Sequence, residues 1–430
     1  MQMKKILVIS YHFNKKEDIA AIRLNGLAKY LVSFGWESLI VCGDTGESGG
    51  FITNEVLTGD ATTIWRKILG LNTHSAIKDQ LGIPSYKNKK TILDIILDLW
   101  AEIFAYPDVY KTWINPAIEC GREILKNEKI DAIISSSGPP SVNLVAANLS
   151  KEFNIPWIAD FRDLWTQNHY YPYSKIRRFF ERRLELRTLS HATILTTVSQ
   201  PLAEKLQELH KNKKVFAIPN GFDPEQLNPG IPVSEKLSIT YTGILYQGRR
   251  DPEQLFKIVR ALVNENVIDP SLIEINFYGY PEGWLIHDIK KYHLENIVKI
   301  HGMIPREESI QKQREAQILL LLTWNDPEEK GVYTGKLFDY LAARRPILSL
   351  GYTGGVVKDL LDQTRAGVHC SNEAELREYL LRAYREYREL GAVQYHGIGE
   401  EIMKYSHVEM ARKFAEVLDA VTAGATPMQG

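Results

Sequence analysis

The stretch GVYTGKLFDYLAARRPILSL, Gly331–Leu350, decides how the chain is read. A glycine-bearing loop opens onto a predicted helix that ends at Arg345-Pro346, and an apolar strand follows with no linker. Leu337, Tyr340 and Leu341 recur at i, i+3 and i+4, which is one helix face, while Ala342 and Ala343 keep the helix slim enough to lie on a sheet. Asp339 falls off that stripe. Gly335 ahead of Lys336 lets backbone approach a ligand, and the free N–H groups of a helix N-terminus attract phosphate oxygens. Such a loop also occurs in α/β units that bind nothing, so the flanking chain has to separate the two readings.

Upstream, strands predicted at Ser238–Thr242, Ile273–Tyr278, Val298–His301 and Ile318–Leu322 alternate with helices at Pro252–Asn264 and Trp284–His293, the pattern of a parallel sheet. Before them, Ile218–Pro232 (IPNGFDPEQLNPGIP) concentrates Pro, Gly and Asn and marks a domain boundary. The N-terminal half repeats the alternation. Its strands fall at Ile6–Ile9, Ser38–Val41, Ala132–Ser135, Pro156–Ala159, Ile194–Val198 and Val215–Ile218, with an amphipathic segment at Ile19–Phe34. They are short and apolar, as buried parallel strands are. Thr91–Tyr106 is predicted helical with Asp94, Asp98 and Glu102 on one face, a pattern read as a solvated surface rather than a metal site. Glu373–Glu389 and Val408–Val421 are closing helices. The fold class is therefore α/β, with two Rossmann-like, doubly wound parallel-sheet domains over residues 1–222 and 223–405. A further helix occupies 406–422, and the small-residue tail 423–430 is expected to be disordered.

A chain of 430 residues exceeds what one core supports, which agrees with two domains. A hydrophobic content of 44% with 24% charged residues describes a globular protein, and a net charge of −1 gives no reason to expect nucleic acid. Cys42, Cys120 and Cys370 are scattered without a CxxC spacing, so neither a disulfide framework nor a zinc site is expected. The N-terminal apolar run is too short for a signal peptide, and no window of about 18 apolar residues could span a bilayer. A cytoplasmic location is expected.

Ligands of doubly wound sheets lie at the carboxyl ends of the strands. In the second half the first such loop is YTGILYQGRR, Tyr241–Arg250, where Gly243 and Gly248 flank Tyr246 and two arginines follow. Guanidinium forks match phosphate oxygens, so Arg249 and Arg250 suit a pyrophosphate; a solvated arginine pair is the plain alternative.

Six segments together resemble the GT-B fold glycosyltransferases of family four, the group 1 type. They are SYHFNKKEDIAAIRLNGLAKYLVSFGWES from Ser10, IPWIADFRDLW at Ile155–Trp165, TTVSQPLAEKL at Thr196, IPNGFD at Ile218, YTGILYQGRR at Tyr241 and GKLFDYLAARRPIL at Gly335. The resemblance implies a retaining transferase whose nucleotide-diphosphate-sugar donor is held by the second domain, with the 406–422 helix packing back on the first. Arg249, Arg250 and Lys336 then take the catalytic, pyrophosphate-directed positions. Gly243, Tyr246, Gly248, Gly279, Tyr333, Thr334, Gly335, Leu337 and Asp339 take donor-binding ones, with Asp339 on the ribose hydroxyls. The family's first carboxylate would fall on Gly331, so that element is missing in register, with Glu328 and Glu329 nearby. His12, Arg23, Ser137, Arg162 and Asp163 are the implied acceptor side; Arg162 stands where many relatives carry His, and an arginine binds anions rather than protons. No cofactor and no metal are implied, because the cations and the helix N-terminus suffice to meet the phosphate charge. An epimerase of the same fold and a two-lobed binding partner without activity are the rival readings.

Lys175–Arg187, KIRRFFERRLELR, carries six cations against two anions, with Ile176, Phe179, Phe180 and Leu184 on one helical face. A basic amphipathic helix rests on anionic lipid, whereas a helix flanking a cleft would bury those aromatics. The first reading makes Lys175, Arg177, Arg178, Arg182 and Arg183 a peripheral contact at the inner face of the membrane, with a lipid-linked saccharide as acceptor in surface polysaccharide assembly.

Overall fold

The computed structural model describes residues 3–14, 19–43, 52–56, 106–171, 173–246 and 248–424. The predicted helix at Thr91–Tyr106, with Asp94, Asp98 and Glu102, lies outside the described residues apart from Tyr106, and so does the tail beyond Gly424. By internal packing the chain divides into two units, Met1–Pro219 with His407–Gly430, and Asn220–Ser406. The chain thus leaves the first unit three residues before the boundary placed from the sequence.

The first unit is a seven-stranded, all-parallel sheet in the order β3-β2-β1-β4-β5-β6-β7. Its strands are β1 (Lys4–Ile9), β2 (Trp36–Cys42), β3 (Ile52–Glu55), β4 (Ala132–Ser137), β5 (Trp157–Phe161), β6 (Ile194–Thr197) and β7 (Lys214–Ala217). Successive side chains alternate between two cores. Leu7, Ile9, Ile133 and Trp157 join one with Trp113, Val145 and Leu149; Ile6, Val8, Ile134 and Ile158 join the other with Leu24, Leu27, Phe414 and Leu418. The helix His407–Thr422 therefore closes a face of the first unit's sheet, packed against the helix Ile19–Leu31.

The second unit is a six-stranded parallel sheet in the order β10-β9-β8-β11-β12-β13. These are β8 (Leu237–Thr242), β9 (Ile273–Tyr278), β10 (Val298–Ile300), β11 (Ile318–Leu322), β12 (Ile347–Leu350) and β13 (Gly367–Cys370). The stretch that decided the reading forms the helix Gly335–Ala343 followed by β12. Leu337, Phe338, Tyr340 and Leu341 are all buried in a core shared with Leu319 and Leu321 of β11, while Asp339 stays half-buried. Arg344, in the left-handed region at φ 53°, turns the chain out of the helix before Pro346 forbids its continuation.

Candidate active site

In both units the order of strands places the loops of interest side by side. In the second unit β9, β8 and β11 are neighbours, so Gly279, the loop from Gly243 and the segment from Thr323 sit on adjacent strand ends. Gly243 has φ 111°, a conformation only glycine adopts freely, and a Cβ on it would lie 2.5 Å from Lys336 Cε. A Cβ on Gly279 would strike the carbonyl of Gly243. Gly279 therefore makes room for the backbone of Gly243, and Gly243 for a side chain: Lys336 runs from the first turn of its helix across the end of β8, where its Nζ donates to Tyr241 Oη at 2.6 Å.

That lysine is electrostatically exposed to trouble. Burial and, next, the Arg250 guanidinium push its ammonium well below the ordinary lysine value, with only Asp339 opposing them. Arg250 itself lies over the Tyr246 ring at 4.5 Å, and its Nε is buried without a hydrogen-bond partner. Thr334, which caps the helix Gly335–Ala343, is buried, and its hydroxyl also finds no partner. Two cations, an unpartnered hydroxyl and a helix N-terminus thus converge where each would be better satisfied by an anion.

The arginine pair is divided. Arg249 is exposed and stacks on Trp324 at 4.4 Å, whereas Arg250 turns inward toward Tyr241 and Lys336. Tyr246, at φ 54°, and Gly248, at φ 85°, supply the tight turn that leads into the pair. Trp324 carried no signal in the sequence beyond following an apolar strand. Arg306 was missed as well: its Nη2 donates to Asp339 Oδ1 at 2.8 Å and its Nη1 to Oδ2 at 3.2 Å, so the carboxylate expected to face a ribose is already held by a guanidinium. Two expected donor contacts need correction. Leu337 is wholly buried in the core and offers a ligand only its backbone. Tyr333 packs against Phe338 and Tyr405, turned toward that same core. Gly331 closes a short 3-10 turn, Pro327–Gly331, in which Glu329 is buried and Glu328 exposed.

In the first unit β1, β4 and β5 are neighbours, which places His12, Ser137 and Arg162 on adjacent strand ends. Arg162 Nη2 reaches the carbonyls of Ser137 and Gly138, both at 3.4 Å, and Gly138 at φ 112° leaves the space it fills. His12 packs edge-on to Tyr11 and Tyr110. Asp163 is exposed beside Arg162. Arg23 does not belong with them. It is 3% exposed and forks onto Asp160 at 2.9 and 3.1 Å, while donating to the carbonyls of Ile218 and Pro219. Ser136 and Thr196 complete the shell of Asp160. The acid and Arg23 are a structural pair that ties β5 to the segment where the chain leaves the unit.

The Glycosyltransferase Family 4 model matches residues 98–226. No protein of curated function matches the sequence. Three solved structures are similar over almost the whole chain. A sucrose-phosphate synthase from Thermosynechococcus elongatus has a TM-score of 0.64 at 14% identity, covering 98% of this chain and all of that one. The Anabaena protein HepE in complex with UDP and glucose has a TM-score of 0.62 at 12% identity, covering 97% and 99%. A UDP-N-acetylglucosamine 2-epimerase has a TM-score of 0.52 at 13% identity, with both chains covered fully. At these identities the likeness concerns the fold. The segment 98–226 is thus similar to glycosyltransferase family four, and the two parallel-sheet units give the chain the GT-B fold of these structures.

Proposed function

We propose that the chain is a retaining glycosyltransferase that moves a hexosyl group from a nucleotide diphosphate donor to a hydroxyl of a saccharide or lipid-linked saccharide, in assembly of a surface polysaccharide or glycoconjugate. The observation that carries this reading is the anion-directed cluster of Lys336, Arg250, the unpartnered Thr334 hydroxyl and the helix N-terminus at the end of β8. The similar HepE binds UDP and glucose, which supports a nucleotide-sugar donor here.

In this reading the bond between the sugar's anomeric carbon and the phosphate oxygen breaks, and the charge that grows on the departing diphosphate falls on Lys336 and Arg250. The leaving phosphate oxygen takes the proton of the acceptor hydroxyl as that oxygen bonds to the same face of the sugar. No pair of catalytic carboxylates takes part; the work is electrostatic, and fixed donors in a water-poor site perform it well. The cations balance the diphosphate without a metal. His12, Ser137, Arg162 and Asp163 serve the acceptor, and a cytoplasmic enzyme resting on the membrane would meet a lipid-linked one. No helix among the described residues is long and apolar enough to cross a membrane.

The deciding experiment is a thermal-shift titration with nucleosides, nucleoside diphosphates and nucleotide sugars. A diphosphate at 100 times its Kd should stabilise the fold by about 2.7 kcal/mol, and the nucleoside alone far less. If no diphosphate shifts the transition, the cluster is not a donor site. The similarity to an epimerase keeps that second reading in play; it predicts isomerised nucleotide sugar from donor alone, whereas a transferase needs an acceptor to form product.

A further inference from the structure

The helix Lys175–Leu189 is folded inside out. Its buried positions include Arg177, Glu181 and Glu185, while Ile176, Phe179 and Phe180 are 74%, 52% and 54% exposed. The inward charges are fully engaged. Arg177 Nε donates to Glu181 Oε1 at 2.6 Å, its Nη2 to the Pro107 carbonyl at 2.9 Å, and its guanidinium lies 3.4 Å from the centre of the Tyr173 ring. Glu181 Oε2 accepts from Trp165 Nε1 at 3.0 Å, and Glu185 accepts from the Thr166 amide and faces His210 Nε2 at 3.3 Å. Rotating the helix to bury the phenylalanines would strand two carboxylates and a guanidinium, so the interior locks the apolar residues outside.

The outward face is cationic as well as apolar. Lys175, Arg178, Arg182, Arg183 and Arg187 are exposed, and both acids of the helix are on the buried side. Phe179 and Phe180 meet edge to face at 5.6 Å, and the Arg183 guanidinium lies 4.3 Å from the Phe179 ring. Leu186 extends the apolar surface. Aromatic side chains ringed by unopposed arginines match a partner that is anionic at its surface and apolar just beneath it, which describes an anionic bilayer.

We propose that this face docks on an anionic lipid surface, with Ile176, Phe179 and Phe180 entering the headgroup layer and Arg178, Arg182, Arg183 and Arg187 meeting lipid phosphates. Arg177, counted from the sequence among the contacts, is excluded by its burial. The proposal rests on this helix and is independent of the donor site, which lies in the other unit.

The test is co-sedimentation of the full chain with vesicles of phosphatidylcholine alone and of phosphatidylcholine mixed with phosphatidylglycerol. Each cation near such a surface strengthens partitioning on the order of fivefold. The wild type should therefore pellet with mixed vesicles at low salt, stay in the supernatant with the neutral ones, and be released progressively as salt screens the attraction. Reversing three charges, Arg178→Glu/Arg182→Glu/Arg183→Glu, should weaken binding more than about 100-fold on the same scale. Phe179→Ser/Phe180→Ser should retain a weaker binding that salt abolishes completely. Wild type left in the supernatant with mixed vesicles overturns the proposal, and so does a charge-reversed variant that pellets like the wild type. A lipid-free dimer abolished by Phe179→Ser/Phe180→Ser would instead assign the face to a second copy. The salt titration of the wild type decides the matter even if a variant fails to fold.

Discussion

Arg306 grips Asp339 through both guanidinium nitrogens, at 2.8 and 3.2 Å, although the two lie on different helices, 33 residues apart in sequence. Each side chain is about a fifth to a quarter exposed, at 24% and 21%, so the carboxylate is positioned without being sealed. A carboxylate oriented in this way keeps lone pairs for a second partner. If those lone pairs take ribose hydroxyls, Asp339→Asn should weaken nucleoside, nucleoside diphosphate and nucleotide sugar alike, by roughly 10- to 150-fold for hydrogen bonds to a charged group. Arg306→Gln, which loosens the carboxylate without removing it, should cost about three- to tenfold across the same ligands. Calorimetric titration of the three ligands reads the pattern, and unchanged affinities in both variants would leave the pair purely structural.

The split of the arginine pair gives an unequal prediction. Arg250 faces Lys336, whereas Arg249 lies on Trp324 at the surface. Arg250→Ala should lower diphosphate affinity by about 1.5–3 kcal/mol, the range for a charge-assisted bond, and leave nucleoside affinity nearly unchanged. Arg249→Ala should cost about 1 kcal/mol or less, since an exposed cation is screened. Equal losses in the two variants would mean that the loop closes differently around its ligand.

Gly243→Ala tests the channel for Lys336. The new methyl would need a left-handed alanine at φ 111° and would lie 2.5 Å from Lys336 Cε. Stability should fall by about 1 kcal/mol or more. Diphosphate affinity should fall as far as in Lys336→Met, and a Gly243→Ala protein that binds diphosphate normally would show that the lysine need not cross the end of β8.

In the first unit the buried pair Arg23–Asp160, 2% and 1% exposed, carries stability. Removing one partner strands the other charge, so Arg23→Met or Asp160→Asn should cost about 3–5 kcal/mol in chemical denaturation. A loss below about 1 kcal/mol would contradict the shell drawn around Asp160.

What the sequence revealed and what it hid follow one physical rule. Buried elements write themselves in apolar periodicity: the strands at Ile6 and Ile318 were legible because their side chains fill cores on both faces of a sheet, and the strand at Ile273 and the helix at Gly335 because each fills one. The strands Ile52–Glu55 and Gly367–Cys370 were missed because each is four residues long and carries no apolar run, ITNE and GVHC. The helix Arg306–Glu315 was missed too, since Gln313 is its one buried residue and its contacts are polar. With it went Arg306, whose partner lies 33 residues away in a pairing no local pattern records. The basic helix was legible in its cations and aromatics, but hydrophobic spacing could not say which face turns inward when the interior partners are Trp165, Pro107 and His210.

The lowered pKa of Lys336 makes the last prediction one of protons. In the ligand-free protein, burial and then Arg250 disfavour its ammonium, so between that lowered value and the ordinary 10.5 the folded chain holds less proton than the unfolded one. Stability should therefore rise with pH across this window, because the unfolded state binds the extra proton; below the lowered value the cost of burying the charge is fully present. A bound diphosphate reverses the balance, since an anion beside Lys336 favours the charged form and raises its pKa. Binding should then take up a proton wherever the free lysine is partly neutral, and affinity should decline as pH rises through the window. Calorimetry in two buffers of different ionisation heat measures the proton count directly. Lys336→Met should abolish both the uptake and the pH slope while Arg249→Ala preserves them, and a wild-type enthalpy that is the same in both buffers throughout the window would show that Lys336 stays charged in the empty site and that Arg250 does not oppose it.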